Sequence, residues 1–360
     1  MGCFSFFIRK ELKKTMKTKI DKIKLTNIPV EDIEDMNRLR KESVIVKDNK
    51  AHNYMTGTGQ AFTRLNINDN VIDKFAVGWI GDKPYSKMEL SVKGEHGNLE
   101  CNSIADTYEQ MINAQAHLMQ KYGVITDSID AKVSYIEINR TFPLKGRFKD
   151  YKRVITLMMS RLPKNKGVQI DFKNINGESY VLDEYVASNK SSAIKIYNKS
   201  LQMKMEVEHE LMRVEITLKK SQSVKRAFGT NRIEELTDEM IDSYFTCKMN
   251  EWFKEPIEKW RKTRDKKVLK LMEEMKETEH HWVGSVIGSL QNEEILTGIP
   301  AVLDVDELLP VSDCIVLPKR KHRTREQFKR QSAKIYTAFN RKDSEKLEEL
   351  LTNLCTTSNE

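Results

Sequence analysis

Four short segments of this chain alternate apolar and polar residues with a period of two. Lys87-Met88-Glu89-Leu90-Ser91-Val92 turns Met88, Leu90 and Val92 one way and Glu89 the other. Tyr135-Ile136-Glu137-Ile138-Asn139 isolates Glu137 in the same manner. Ile194-Lys195-Ile196-Tyr197-Asn198-Lys199 sets Lys195, Tyr197 and Lys199 against Ile194 and Ile196. Met212-Arg213-Val214-Glu215-Ile216-Thr217-Leu218 offers Arg213 and Glu215. Alternation of this kind specifies half-buried strands, because successive side chains point to opposite faces. Joined in one sheet, they gather three carboxylates, a phenol and several cations on a single face.

Helical patterns fall between these strands. Ile104, Tyr108, Met111, Ile112, Leu118, Met119 and Tyr122 recur at helical spacing up to Gly123, and Tyr151, Val154, Ile155, Met158, Met159 and Leu162 do so up to Pro163. Further strands are expected over 18–26, through 43–100 and over 168–172 and 178–183, and a short polar helix or loop over 29–42. Strands, helix, strand, helix, strands is the order of an α+β fold, an antiparallel or mixed sheet with helices on one face. The helices need the apolar side of the sheet, which leaves the polar side to solvent or ligand.

Beyond residue 222 the character changes. Thr237 to about Glu279 reads as charged helix punctuated by Pro256, 282–310 as short helices around Gly284, Gly288 and Gly298, and about 325–354 as a final helix. The expected organisation is an N-terminal extension over 1–17, a catalytic unit over 18–222, a helical domain over 223–311, and a basic segment with the last helix over 312–360. Met16 begins a normal first strand, so translation from either Met1 or Met16 fits.

With 360 residues and a net charge of +8, the chain suits a polyanionic partner. Its five cysteines show neither zinc spacing nor a disulfide framework, and a reducing cytoplasm is the simple expectation. No stretch approaches the ~20 apolar residues of a membrane span.

The chemistry suggested by the polar face centres on Tyr197. A phenol is a poor nucleophile unless cations or a base stabilise phenoxide, and Lys195 and Lys199 offer positive charge nearby. A strand tyrosine between solvating lysines is the plainer reading of that spacing taken alone. Glu89, Glu137 and Glu215 supply the oxygens that Mg²⁺ or Mn²⁺ prefers. Glutamates on the wet face of a sheet, paired with Arg213 or Lys87, are the plainer alternative. The run 319–330 carries seven Lys or Arg and one acid, enough to contact backbone phosphates or simply to solvate a tail.

Ile196-Tyr197-Asn198-Lys199, followed by His209-Glu210-Leu211-Met212-Arg213-Val214-Glu215-Ile216, resembles a motif of rolling-circle replication initiators. The resemblance is to staphylococcal-type plasmid initiators, relaxases of integrative elements and filamentous-phage-like initiators. Met88-Glu89-Leu90 and Tyr135-Ile136-Glu137-Ile138, with Phe142, resemble two further strands of these families. It covers about 18–235 and is specific around 194–219. Thr141 stands where plasmid initiators often carry a second acid, and the His-hydrophobic-His pair of the wider nickase superfamily has no counterpart.

The resemblance implies a nicking and closing enzyme for a plasmid or phage-like origin. Tyr197 would become joined to a 5′ phosphate, Lys195 and Lys199 would hold that phosphate, and Mg²⁺ or Mn²⁺ would sit on Glu89, Glu137 and Glu215. Arg213, Lys319, Arg320, Lys321, Arg323 and Arg325 are the expected nucleic-acid contacts. The implied partners are an origin hairpin with a single-stranded nick site, a host helicase and a second copy of the chain, with no membrane. A relaxase for conjugative transfer and a non-catalytic copy-control or transcription regulator are the alternatives.

Overall fold

The computed structural model describes most of residues 17–356, the exceptions falling within 29–102, 128–130, 164–183 and 205–208. The N-terminal extension through residue 16 lies outside the described residues. The chain runs β1 (Lys19–Thr26), β2 (Val30–Ile33), β3 (Ile45–Lys47), β4 (Thr63–Ile67), β5 (Lys74–Ile80) and β6 (Lys83–Ser91), then α1 (Ile104–Tyr122), β7 (Val124–Thr126) and β8 (Lys132–Pro143). After α2 (Lys152–Ser160) come β9 (Gly167–Ile170), β10 (Lys173–Ile175), β11 (Glu178–Tyr180), β12 (Glu184–Ser188) and β13 (Ser192–Asn198). The short α3 (Lys199–Gln202), β14 (Leu211–Leu218) and α4 (Ser221–Phe228) follow. The remainder is helical: α5 (Asp238–Met249), α6 (Glu255–Thr278), α7 (Trp282–Thr297), α8 (Leu308–Asp313), α9 (Lys321–Ile335) and α10 (Asp343–Cys355).

The fold is α+β, and its main sheet is antiparallel throughout. Its order is β3-β4-β5-β6-β1-β8-β14-β13-β12-β9. Three of the four alternating segments are neighbours at its centre, β8, β14 and β13, and the fourth, β6, stands beyond β1. The helix face holds one aliphatic row, Ile194, Ile216, Ile138 and Ile20, in register across four strands. Met111 and Leu118 of α1 and Val154, Ile155 and Met158 of α2 join that core.

Local chemistry sets the helix limits. Ser103 and Asp106 exchange hydrogen bonds as a capping box at the start of α1, and Gly123 ends it at φ 65°. Between α5 and α6 the backbone widens into a π segment, Asn250–Lys254. Pro256 has no N–H to bond the previous turn, and the wider turn accommodates it. The expected short helices of 282–310 are instead dominated by one, α7, running through Gly284 and Gly288. The expected final helix is two, α9 and α10. They part at extended Tyr336 (ψ 91°) and at Lys342, whose positive φ of 52° halts helical geometry.

Hydrophobic burial groups the chain differently from a boundary at 222. Phe245, Phe253 and Ile257 of the α5–α6 helix and Leu347, Leu350 and Leu354 of α10 share the core of the sheet. A second core collects Val268, Met272, Val286, Ile287, Leu308, Phe328 and Phe339. The segment 312–360 is therefore split, α9 packing in the second core and α10 in the first.

Two arginines tie these layers. Arg140 occupies an otherwise apolar row beside Val214 and is 1% exposed. Its Nη1 donates to the carbonyls of Asn353, Leu354 and Thr356 at 3.2, 3.0 and 2.8 Å, satisfying the end of α10. Its Nη2 reaches Asp242 Oδ1 at 2.9 Å. Arg153 of α2 donates from Nε and Nη2 to both oxygens of Glu294 on α7, each at 2.7 Å, and from Nη1 to Asp343 at 2.8 Å. Among the described residues no helix is long and apolar enough to cross a membrane.

Arg140→Ala takes a counter-charge from Asp242, which keeps its hydrogen bonds from Thr18, and the donor from three carbonyls. The expected loss is roughly 3–5 kcal/mol, the range for breaking a buried ion pair. Urea titration measures it, and limited proteolysis should show earlier cutting around α10. An unchanged midpoint with unchanged cleavage would refute the clamp.

Candidate active site

The polar face of the central strands is a set of rows fixed by strand pairing. Tyr197, Arg213 and Thr141 form one row across β13, β14 and β8; Lys195, Glu215 and Asn139 form the next. Thr217 and Glu137 follow, with Lys22 of β1 beside Glu137. Rows two residues apart stand about 7 Å from one another along the strand. That spacing lets the long side chains of neighbouring rows meet.

Tyr197 donates from its hydroxyl to Glu215 Oε1 at 2.5 Å. Both groups are nearly buried, Tyr197 at 9% exposure and Glu215 at 4%, yet Tyr197 belongs to the polar face and not to the apolar core. Burial raises the Tyr197 pKa far above its usual value, and the adjoining Glu215 raises it further while Arg213 opposes. Burial also raises the Glu215 pKa, against the hydrogen bond from Tyr197. The pair therefore holds its shared proton on the phenol, bonded to an unusually basic carboxylate. Lys195 Nζ stands 3.9 Å from Glu215 Oε2, and its side chain is 34% exposed.

Arg213 is 1% exposed. Its Nε donates to Thr141 Oγ1 at 2.8 Å, and Nη1 pairs with Asp21 at 3.5 Å. This corrects its expected role as a nucleic-acid contact. It lies on a strand buried on both faces and is spent on Thr141 and Asp21, fixing charge beside the phenol. Lys199 is a second correction. The strand ends at Asn198, whose side chain accepts from Leu201 N at 3.0 Å and caps the short helix that follows. Lys199 opens that helix, is 1% exposed, and donates to Gln202 Oε1 at 2.8 Å. It does not share the strand face of Tyr197.

The three glutamates do not meet. Glu137 and Glu215 are diagonal neighbours on adjacent strands, about 7–8 Å apart at the backbone. Glu137 accepts from the hydroxyl of Tyr135, whose pKa burial and Glu137 together raise. Glu89 pairs with Lys24 on the far side of β1, and Lys24 pairs with Tyr135. From Glu215 that position is three strands across, about 14 Å, and four residues along, about 13 Å. One ion cannot bridge such a span, so the set Glu89, Glu137 and Glu215 does not fit a shared Mg²⁺ or Mn²⁺. Among the described residues no three His, Cys, Asp or Glu side chains gather as metal ligands. The side chain of Glu89 lies outside the described residues.

Sequence reasoning missed Asp21. β1 pairs Lys19 with Asn139 and Lys22 with Glu137, so one residue bulges between them and both Asp21 and Lys22 turn outward. Asp21 thereby reaches Arg213 and contributes to raising the pKa values of both Tyr197 and Glu215. The signal was present: Ile20 and Ile23 are three apart where strict alternation wants two.

The basic run forms the start of α9 and the turn before it. Lys319, Arg320 and Arg323 are exposed, Lys321 half-buried, and Thr324 and Phe328 turn inward. Exposed Arg325 is paired with Asp313. α9 packs on α7 and α8, away from the central strands.

No family model matches this chain, and no curated protein matches it. Among solved structures it is similar to the rolling circle replication initiator protein from Geobacillus stearothermophilus. That similarity has a TM-score of 0.30 and 15% identity, over 58% of this chain and 76% of the other. Overlap so loose equates no residue of the two, and the site rests on its own geometry.

Glu215 binds a proton more tightly folded than unfolded. Its contribution to stability is therefore greatest at low pH and declines as pH rises through its raised pKa. Glu215→Gln should match the parent near pH 4 and melt higher than it at pH 8, as read by calorimetry across that range. A difference in melting temperature that does not change with pH would contradict the assignment.

Proposed function

We propose that this chain is a replication initiator that nicks one DNA strand, with Tyr197 as the nucleophile and Glu215 as its base. The 2.5 Å hydrogen bond from the Tyr197 hydroxyl to Glu215 carries this reading. Nucleophile and base within hydrogen-bond reach are the minimal unit of covalent catalysis. A carboxylate made more basic by burial is suited to take a phenolic proton.

The phenolic proton passes to Glu215 Oε1 as the phenol oxygen bonds to phosphorus. The bond from phosphorus to the 3′ oxygen breaks, and that oxygen takes a proton from solvent. The products are a 5′-phosphotyrosine and a free 3′-hydroxyl able to prime synthesis. Attack by the 3′-hydroxyl reverses each transfer and reseals the strand. Arg213, held by Thr141 and Asp21, supplies fixed positive charge beside the forming bond, and half-exposed Lys195 is placed to meet the phosphate.

The substrate would be single-stranded DNA at an origin, which suits the net charge of +8 and the exposed cations at the start of α9. Use of the same chemistry as a relaxase in conjugative transfer would need no change to this site. One observation favours a different reading. Tyr197 is 9% exposed and its pKa is strongly raised, as in a structural tyrosine–carboxylate bond, and a non-catalytic DNA-binding regulator would share that feature.

Labelled single-stranded origin DNA with Mn²⁺, run on a denaturing gel, separates these readings. A protein–DNA adduct is expected, absent in Tyr197→Phe and reduced ~100-fold or more in rate in Glu215→Gln. Cleavage that persists in Tyr197→Phe would replace tyrosine chemistry with that of a metal nuclease, and binding without cleavage would establish the regulator.

The span from Glu89 to Glu215 yields a further expectation. Glu89→Ala should nick within a few-fold of the parent rate at every Mn²⁺ concentration in a titration. A collapse rescued by excess Mn²⁺ would restore Glu89 as an ion ligand.

A further inference from the structure

On the helix side of the molecule, a cavity of about 250 Å³ opens between the end of α2, α6, α7 and the segment 299–301. It lies where the two hydrophobic cores meet, Trp260 belonging to one and Val268 and Leu290 to the other. Its wall carries Arg161, Arg264 and Lys267 against a single acid, Glu293. Arg264 is paired with Glu307 at 2.5 Å, and Lys267 with Glu293 at 2.6 Å.

Arg161 is different. Its guanidinium stacks 5.6 Å from the Trp260 ring centre, and its Nε is buried with no hydrogen-bond partner among the described residues. Burial alone lowers its pKa, with no acid offsetting that effect. A half-buried guanidinium that meets no counter-charge among the described residues is open to one, and its planar fork matches an oxyanion. Nothing in the chemistry of Tyr197 uses it.

We propose that this cavity is a binding site for a phosphate monoester no larger than a mononucleotide, with Arg161 as the principal anchor. With Arg264 and Lys267 each paired to an acid, Arg161 is the wall cation left to meet a ligand, and its guanidinium can donate two parallel hydrogen bonds to a phosphate. The volume falls below the usual 300–1,000 Å³ of drug-sized sites, which excludes a longer strand segment within the cavity. Trp260, Leu290, Ile299 and Pro300 provide an apolar remainder for a sugar or base. A free nucleotide and the 5′ end of a DNA strand present the same group. A ligand there would brace the two cores against each other and raise the stability of the whole chain.

The test is thermal denaturation of the full-length protein with inorganic phosphate, deoxyadenosine monophosphate, and oligothymidylate bearing a 5′-phosphate or a 5′-hydroxyl, at matched ionic strength. Binding to the native state alone raises the melting temperature with probe concentration. The expected result is a rise with deoxyadenosine monophosphate, lost in Arg161→Met and kept in Tyr197→Phe, so that it stands apart from the nicking chemistry. A rise with the 5′-phosphorylated oligonucleotide beyond its 5′-hydroxyl counterpart identifies a strand end as the source. A rise with the free nucleotide alone identifies a small ligand. Should Arg161→Met not fold, Thr263→Trp, at an exposed position on the rim, fills the mouth and should abolish the same rise. The assignment is overturned if no probe shifts the parent protein, if the substituted proteins shift equally, or if acetate reproduces the effect.

Discussion

The pairing of β13 with β14, and of β14 with β8, is the constraint from which the candidate site follows. Antiparallel register sets Lys195 opposite Glu215 and Tyr197 opposite Arg213. With side chains alternating between faces, a slip of one residue would send all four into the helix-covered core. The aliphatic row Ile194, Ile216, Ile138 and Ile20 forbids that slip, since it would expose the best-buried residues of the sheet. Hydrophobic burial on one face thus holds the reactive groups on the other.

Charge is distributed unevenly over that sheet, and each buried charge has its own compensation. Glu215 takes the Tyr197 hydroxyl and the nearby Lys195; Arg213 takes Thr141 and Asp21. On the opposite face Arg140 sits in an apolar row and turns its donors to the last carbonyls of α10 and to Asp242. The strand that carries Glu137 and Asn139 outward thereby anchors the end of the chain inward. Arg153 performs a similar task between α2, α7 and α10. Such charges add little net stability while paired, but breaking a pair strands its partner in low dielectric.

Much of this was legible in the residues. Period-two alternation identified the four strands and the polar face of each, and helical periodicity located α1 nearly to the residue and α2 to within about a turn. Lys199 was misplaced because alternation carries no signal for where a strand stops. Asn198 stops it, by using its side chain as a helix cap. Asp21 was overlooked because a bulge shifts the phase of alternation by one residue. Glu89 was grouped with Glu137 and Glu215 because all three occupy outward positions, which says nothing about strand order.

From the sequence alone came the α+β class, the identity of the strands and the side of each on which a reactive group stands, because these depend on contacts two to four residues apart. Only the tertiary structure decided that β1 and β8 separate Glu89 from Glu215, that Arg213 is buried on the polar face against Thr141 and Asp21, and that α10 returns to the first core. Those outcomes depend on which distant segments pair, and local periodicity is blind to partners more than a hundred residues away.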